Sequence, residues 1–291
     1  FDPGALVKLP SSPGLSRVAD PLRQPKRLWN AATSPVGSVK DKMRLVPLLI
    51  HVMTKSINEL FEEEETDTLT CLTDRWRFSQ PFIDGFLAPF LEGIYLTPLD
   101  QQSSRMFHFV FKMFSIGNVS LPRGGIGAVS EQLATKARSC GVDIRTNYAV
   151  ERIRVEQQEE EGFAITAKGG RTIHAEKVIL ATDIKSATRM VLSMEADHEI
   201  VDFDDAIVER SVGCLYYTFD SEPPIDEPIL VLNGVKERGT RGSPINNICF
   251  PSVVCSDYSP RGSNLLSVSI LEKVLEEFDE KDDELDAAVR R

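Results

Sequence analysis

The sequence lacks a long hydrophobic run. Its longest apolar stretch, residues 45–52, already contains Pro47 and His51, whereas a helix that crosses a bilayer needs about 20 consecutive apolar residues. This absence argues against a transmembrane segment and leaves peripheral contact with a membrane as the remaining kind of membrane association.

Acidic residues also outnumber basic ones. The sequence has 33 Lys and Arg and 44 Asp and Glu, which gives a net charge of −11. A protein that binds nucleic acid presents a basic surface to the phosphates, so the composition excludes that class of partner. The acidic residues are concentrated at 62–65, 156–161 and 276–286. Runs of like charge are typical of solvated loops and helix faces.

Short sequence motifs for metal ligands and catalytic nucleophiles are also missing. The five cysteines show no C-x-x-C spacing, so neither a zinc site nor a disulfide framework is predicted, and reduced thiols are typical of an intracellular compartment. The four histidines lie far apart in the sequence, without an H-x-x-x-H pair, and no G-x-S-x-G occurs. No metal ligand is therefore assigned. We interpret His108 as a satisfied core or rim histidine and Cys140 as a small core residue.

The sequence does contain a segment of regular pattern at residues 121–183. A glycine turn at 124–127 leads into a predicted helix that ends at Gly141, and one face of this helix is expected to be buried through Val129, Leu133, Ala137 and Cys140. Beyond it the pattern predicts a strand at 142–145 continued at 149–155, a hairpin of 163–167 with 171–174, and a buried strand at 178–181.

The flanking segments are predicted to be helical before this segment and rich in strands after it. Helices are predicted at 39–60, 66–77, 81–91, 103–115 and 184–202, strands at 212–219, 229–232, 247–255 and 265–271, and an acidic helix at 273–291. In the first helix, the spacing of a buried face is kept by Met43, Val46, Leu49, Ile50, Met53, Ile57 and Leu60.

The helix at 103–115 is apolar on nearly every face. Its phenylalanines point around the whole circumference, so we expect the helix to be buried all round or to border an apolar cavity. For the cavity side we choose Phe107 and Phe111, with Phe90 and Tyr95 opposite. Ordinary core packing is the alternative for each of these rings.

The sequence LPRGGIGAVSEQLATKARSCGVDIRTNYAVERI, followed by KVILATD, resembles the flavin-containing amine oxidase superfamily, and within it phytoene desaturase and carotenoid isomerase-like proteins. The resemblance implies an FAD/NAD(P)-binding two-domain fold of mixed α/β class, with a helical layer and a mixed or antiparallel sheet in the substrate domain. It implies a substrate domain at 1–120 and 203–272, part of the FAD-binding domain at 121–202, and an acidic helix at 273–291.

The resemblance also implies FAD as the cofactor. Val150 would contact the adenine through its backbone, and Ala181 and Thr182 would end the strand that returns to the nucleotide-binding sheet. The four aromatic residues would wall the site of an apolar small-molecule substrate, from which hydride passes to flavin N5. Double-bond isomerisation through a reduced flavin is the variant that carotenoid isomerase-like members imply. The resemblance does not identify catalytic residues. It leaves carotenoid, tetrapyrrole and amine substrates open, and it suggests the plastid as one compartment.

Two flavin-binding segments typical of the family, an N-terminal G-x-G-x-x-G unit and a C-terminal Gly-Asp segment, are absent. The turn at 124–127 does not replace the first, because Ser130 occupies the third glycine position and Pro122 interrupts the preceding strand. We interpret it as a tight packing turn, with a helix cap near the flavin as the alternative. We expect an internal fragment that holds FAD poorly. The rival interpretation is a non-catalytic, truncated homologue that binds an apolar ligand or a partner.

Overall fold

The structure, a computed structural model, describes residues 1–19, 23–24, 26, 33–156, 162–192, 194, 210–279 and 281–291. The chain divides into two units, Phe1–Val129 with Arg210–Arg291, and Ser130–Glu209. The first holds a six-stranded sheet and most of the helices, and the second a three-stranded sheet. The predicted mixed α/β class is confirmed.

The strands in the described residues are β1 (Gly4–Lys8), β2 (Leu15–Ala19), β3 (Val150–Glu156), β4 (Gly162–Ala167), β5 (Thr172–Ala175), β6 (Val212–Phe219), β7 (Leu230–Asn233), β8 (Ile245–Cys249) and β9 (Asn264–Leu271). The larger sheet has the order β2-β1-β7-β8-β9-β6, in which β1 and β7 are parallel and the other pairs antiparallel. Strands β1 and β2 lie near the N-terminus, where no element is predicted from the sequence. The predicted strand at 247–255 stops at Cys249 because Pro251 begins a short helix.

The α-helices are α1 (Val39–Thr54), α2 (Ile57–Phe61), α3 (Thr68–Thr70), α4 (Gln80–Phe82), α5 (Ala88–Tyr95), α6 (Ser104–Ile116), α7 (Gly127–Ser139), α8 (Ile184–Leu192), α9 (Pro251–Val254), α10 (Glu272–Phe278) and α11 (Asp282–Val289). Two π-helical turns, Cys71–Arg75 and Ile83–Leu87, follow α3 and α4. In the described part of the chain, every helix is too short or too polar to span a membrane.

Three of the helix predictions need correction. The helix predicted at 39–60 is broken, because Ser56 and Glu59 form a capping box that starts α2 as a new helix. The acidic helix predicted at 273–291 is two helices, separated at Asp279, whose φ of 47° lies in the left-handed region. The helix predicted at 184–202 ends at Leu192, and most of its remaining residues lie outside the described ranges.

Different helices pack on the two faces of the larger sheet. The helical layer packs on β1 and β7, where Ala5, Val7 and Leu232 join the main core with residues of α1, α5 and α6. Helices α10 and α11 pack on the opposite face, around Val268 and Ile270 of β9. Each strand sends alternate side chains to opposite faces, so a single strand can contribute to both layers.

The second unit has a small core and much exposed apolar surface. Ile153, Ile165 and Ala167 are buried in the antiparallel sheet β3-β4-β5. The strands predicted at 142–145 and 178–181 do not form, and Ile179 is 91% exposed. A strand needs a neighbour for its amides, and none of the described strands lies beside either segment.

The predicted buried face of α7 is also wrong. Leu133 is 66% exposed, Val129 is 46% exposed, and Cys140, interpreted as a core residue, is exposed as well. The apolar spacing that makes the helix amphipathic is present, but none of the described residues covers that side.

Candidate functional site

The structure brings the four predicted cavity residues into one aromatic cluster between α5 and α6. Phe107 is fully buried in the main core, and Phe90, Tyr95 and Phe111 pack against that core while half-buried. The rings of Phe107 and Phe111 lie 5.9 Å apart. The hydroxyl of Tyr95 donates to the carbonyl of Met106 at 2.8 Å, and burial raises the pKa of Tyr95. The rings of Phe90 and Phe114 form a second contact between the two helices, at 5.1 Å. The role of the four predicted residues as a cavity wall stays a prediction.

A second surface was not predicted from the sequence, and it lies on the larger sheet. On the face that carries the helical layer, α5 approaches β8 so closely that a Cβ on Gly93 would lie 3.0 Å from Asn247 Nδ2. Beyond β8 the same face is open at β9 and β6. Cross-strand pairing places a row of side chains there, comprising Cys214 and Tyr216 of β6, Ser267 and Ser269 of β9, and Asn247 and Cys249 of β8. We call this row the open sheet face.

The open sheet face is polar but carries no formal charge on the six residues that define it. Cys214 Sγ lies 3.4 Å from Ser267 Oγ. Burial raises the pKa of Cys249 to about 11, and the hydrogen bond with Cys214 raises the pKa of Tyr216. Cys249 and Tyr216 are therefore neutral at pH 7, and the surface can orient a ligand through hydrogen bonds.

One signal in the sequence could have located this surface. Along β6, the exposed residues Cys214, Tyr216 and Thr218 alternate with Leu215 and Tyr217, which pack on the opposite face. Strict alternation predicts that one side of a strand is not covered by core. The sequence alone did not show that the helical layer would end at β8.

The histidines His51 and His108, far apart in the sequence, meet at Glu63. His51 Nε2 lies 2.8 Å from Glu63 Oε1, and His108 Nδ1 lies 3.5 Å from Glu63 Oε2. The two imidazole rings are 5.1 Å apart. Their separation along the chain gave no sign of this contact, which arises because α1, α6 and the segment after α2 converge at this point. The three side chains have the types and spacing of a metal-ligand set.

The charges around Glu63 favour an ion cluster over a metal site. Lys55 and Arg75 both donate to the Glu63 carboxylate, so two cations already occupy its oxygens. Trp76 Nε1 donates to His108 Nε2 at 3.0 Å. An indole nitrogen is a donor only, so Nε2 accepts and the proton of neutral His108 lies on Nδ1, the atom that a metal would need. We therefore assign a structural role to this cluster.

The cluster predicts a dependence of stability on pH. Burial, with Arg75 nearby, lowers the pKa of His108 to about 4. Its protonated form is therefore disfavoured in the folded state, and stability present above pH 6.5 is lost as the pH falls towards 4. The shift corresponds to about 3 kcal/mol.

In the His108→Gln variant, the side-chain oxygen can still accept from Trp76, and we expect the free energy of unfolding to fall much less between pH 6.5 and 4. Urea denaturation at several pH values between about 7 and 4 measures this free energy. The control is His174→Gln, which replaces an exposed histidine and should keep the slope of the parent protein. An unchanged slope in His108→Gln would exclude His108 as the source.

The predicted FAD-binding residues lie in the second unit. Val150 begins β3, an edge strand, so that alternate backbone groups of β3 point away from β4. Ala181 and Thr182 are exposed in the unpaired segment before α8. The edge strand fits recognition of an adenine through the backbone.

The glycine turn does not provide a phosphate cradle. Gly125 has φ of 82° and donates to the carbonyl of Pro122 at 2.9 Å, and the residues before this turn are not a strand. In the described residues, the fit to FAD is therefore limited to its adenine end.

The architecture is that of the fold found in two solved oxidoreductases. An oxidoreductase from Methanosarcina mazei shares it with a TM-score of 0.66 and 15% identity, over 99% of this chain and 65% of that one. A redesigned putrescine oxidase shares it with a TM-score of 0.62 and 13% identity, over 98% of this chain and 62% of that one. Similarities at this level of identity show the fold.

The chain belongs to the family described as flavin containing amine oxidoreductase, whose sequence profile matches residues 14–291. The carotenoid 3,4-desaturase of Haloarcula japonica is 27% identical over 168 residues, which cover 54% of this chain and 33% of that relative. The chain thus spans a third of the length of this curated relative. Because the relative is archaeal, it gives no support to a plastid location.

Proposed function

We propose that this chain forms the substrate-binding part of an FAD-dependent oxidoreductase that moves hydride between an uncharged, largely apolar organic substrate and flavin N5. The open sheet face would be one wall of the substrate site. Family membership supports the redox class, and the carotenoid desaturase among the relatives supports a substrate of this kind.

The observation that carries the proposal is the neutrality of the open sheet face. An amine substrate is a cation at neutral pH, and its recognition requires a carboxylate or an aromatic cage. The six residues of the face include neither an acid nor more than one aromatic ring, Tyr216. An uncharged substrate is therefore favoured over an amine.

In this proposal the protein binds and orients the substrate and excludes water from the site. The flavin, when bound, supplies the hydride-accepting chemistry. Val150, with Ala181 and Thr182, would contact the adenine end of FAD, and Tyr216 would hold the substrate against the sheet. The aromatic cluster of α5 and α6 would give the helical border of the site its apolar character.

Two adjacent tyrosines test the assignment. Tyr216 is 65% exposed on the open sheet face, whereas Tyr217 points to the opposite face, where its hydroxyl donates to Asp286 at 2.7 Å. We expect Tyr216→Ala to lower kcat/KM for an uncharged polyene by about tenfold or more, a loss of about 1.4 kcal/mol of transition-state binding. Tyr217→Ala should lower the melting temperature and leave kcat/KM of the folded enzyme unchanged.

The measurement is anaerobic reduction of FAD, supplied in excess to the protein, by the polyene and, in parallel, by a primary amine. Equal kinetics for Tyr216→Ala and the parent protein would remove the open sheet face from the substrate site. Reduction by the amine alone would overturn the substrate class. Binding of the polyene without flavin reduction would favour the rival interpretation, a non-catalytic homologue that binds an apolar ligand.

A further inference from the structure

The first long helix presents an apolar surface to solvent. Val39 and Met43 are each 68% exposed, and the same face continues through Val46, Ile50 and Met53. The sequence pattern predicted that most of this face would be core. The structure instead buries Leu48 and Val52 on the other side of the helix. Helix α1 is apolar on two sides, and only one of them faces the core.

The spacing of these five residues, which we call the α1 seam, is that of a coiled coil. The intervals are four, three, four and three residues, the 3.5-residue repeat of helices that pair along a shared seam. At 1.5 Å per residue, the seam is about 21 Å long. A seam of this period fits another helix better than it fits a flat surface.

Charge at the two ends of the seam identifies the partner. Lys40 and Arg44 lie at the N-terminal end, and Glu59, Glu62 and Glu64 lie beyond the other end. If two copies pair antiparallel, the basic end of each approaches the acidic end of the other. Such pairing is isologous, because both copies use the same surface, and the assembly therefore stops at a dimer.

We propose that the α1 seam is the interface of an antiparallel homodimer. Each half-exposed side chain offers on the order of 100 Å² of apolar surface, so two seams and their charged ends reach the roughly 1,200 Å² at which stable interfaces begin. A lipid surface fits less well, although Lys40 and Arg44 are basic as in interfacial helices, because acidic residues follow the seam. The acidic run at 62–65 would be repelled by anionic headgroups.

Sedimentation equilibrium of the full chain tests the proposal. The parent chain is expected to be a dimer at micromolar concentration, and Ile50→Glu should raise the dimer dissociation constant at least about 100-fold, because it buries a charge within the seam. Met53→Lys should act in the same direction if Ile50→Glu does not fold. The control is Leu133→Glu, which changes an equally exposed apolar helix position in the second unit and should leave the dimer intact.

Charge exchange tests the orientation. Lys40→Glu should weaken the dimer, and adding Glu62→Lys should restore it only if the copies are antiparallel. A monomeric parent chain, or a dimer that dissociates with Leu133→Glu and not with Ile50→Glu, would overturn the proposal. So would a monomer that floats with zwitterionic phosphatidylcholine vesicles and loses this binding in Ile50→Glu, since lipid would then be the occupant.

Discussion

Replacing Asp41 with alanine is expected to lower the free energy of unfolding by about 3–4 kcal/mol, because each buried donor left without an acceptor costs about 1–3 kcal/mol. The Asp41 side chain is fully buried and joins the starts of two helices. It accepts from the backbone N–H of Ser38, at the start of α1, and from that of Ser79, at the start of α4, each at 2.8 Å. The Ser79 hydroxyl donates to the same carboxylate at 2.7 Å.

The same carboxylate predicts an acid-sensitive contribution to stability. Burial alone would raise the pKa of Asp41, but the hydrogen bonds from Ser38 and Ser79 outweigh it and lower the pKa to about 2. A lowered pKa in the folded state contributes stability that is present above pH 3.8 and is lost as the pH falls towards 2. The shift corresponds to about 2 kcal/mol.

Denaturant unfolding of Asp41→Ala, Asp41→Asn and Asp67→Ala separates these effects. Asp67 is a single N-cap that accepts from Thr70 at 2.8 Å, and its removal should cost about 1 kcal/mol. Asp41→Asn keeps one acceptor oxygen and should lose the acid dependence while costing less than Asp41→Ala. If Asp41→Ala costs no more than Asp67→Ala, the carboxylate does not couple the two helices.

Elements with strong local signals were predictable from the sequence. Helix α6 begins after Ser103, whose side chain caps it, and runs to Ile116, within one residue of the prediction. Strand β6 matches its predicted bounds because its alternating residues fit a sheet that is covered on one face. In both cases the information lies within the segment itself.

Features that depend on distant segments could not be predicted. Two segments have the composition of buried elements but are exposed, namely the apolar side of α7 and residues 178–181. Burial depends on another segment that packs against them, and their own sequence does not specify that segment. Helix α1 has two apolar sides, and periodicity cannot decide which one the core takes. The cluster at Glu63 unites residues from four segments, so no local motif marked His51 or His108.

The second large effect is expected at Phe107. This ring is fully buried in the main core, 5.3 Å from the ring of His108 and 5.9 Å from that of Phe111. Truncation to alanine should cost about 3–5 kcal/mol, the usual range for a phenylalanine in a core that cannot collapse around the cavity. Because no part of the ring is exposed, we expect Phe107 to act as core and the kinetics of the folded fraction not to change.

Phe111 lies one turn further along α6 and is only half-buried, so Phe111→Ala is the matched comparison. If this ring borders the substrate, kcat/KM should fall while the melting temperature changes much less than in Phe107→Ala. Thermal unfolding and anaerobic flavin reduction, measured on the same preparations with FAD supplied in excess, distinguish the two outcomes. If both variants lose several kcal/mol and neither changes kcat/KM, the aromatic cluster is core throughout, and the open sheet face alone is left as the wall of the substrate site.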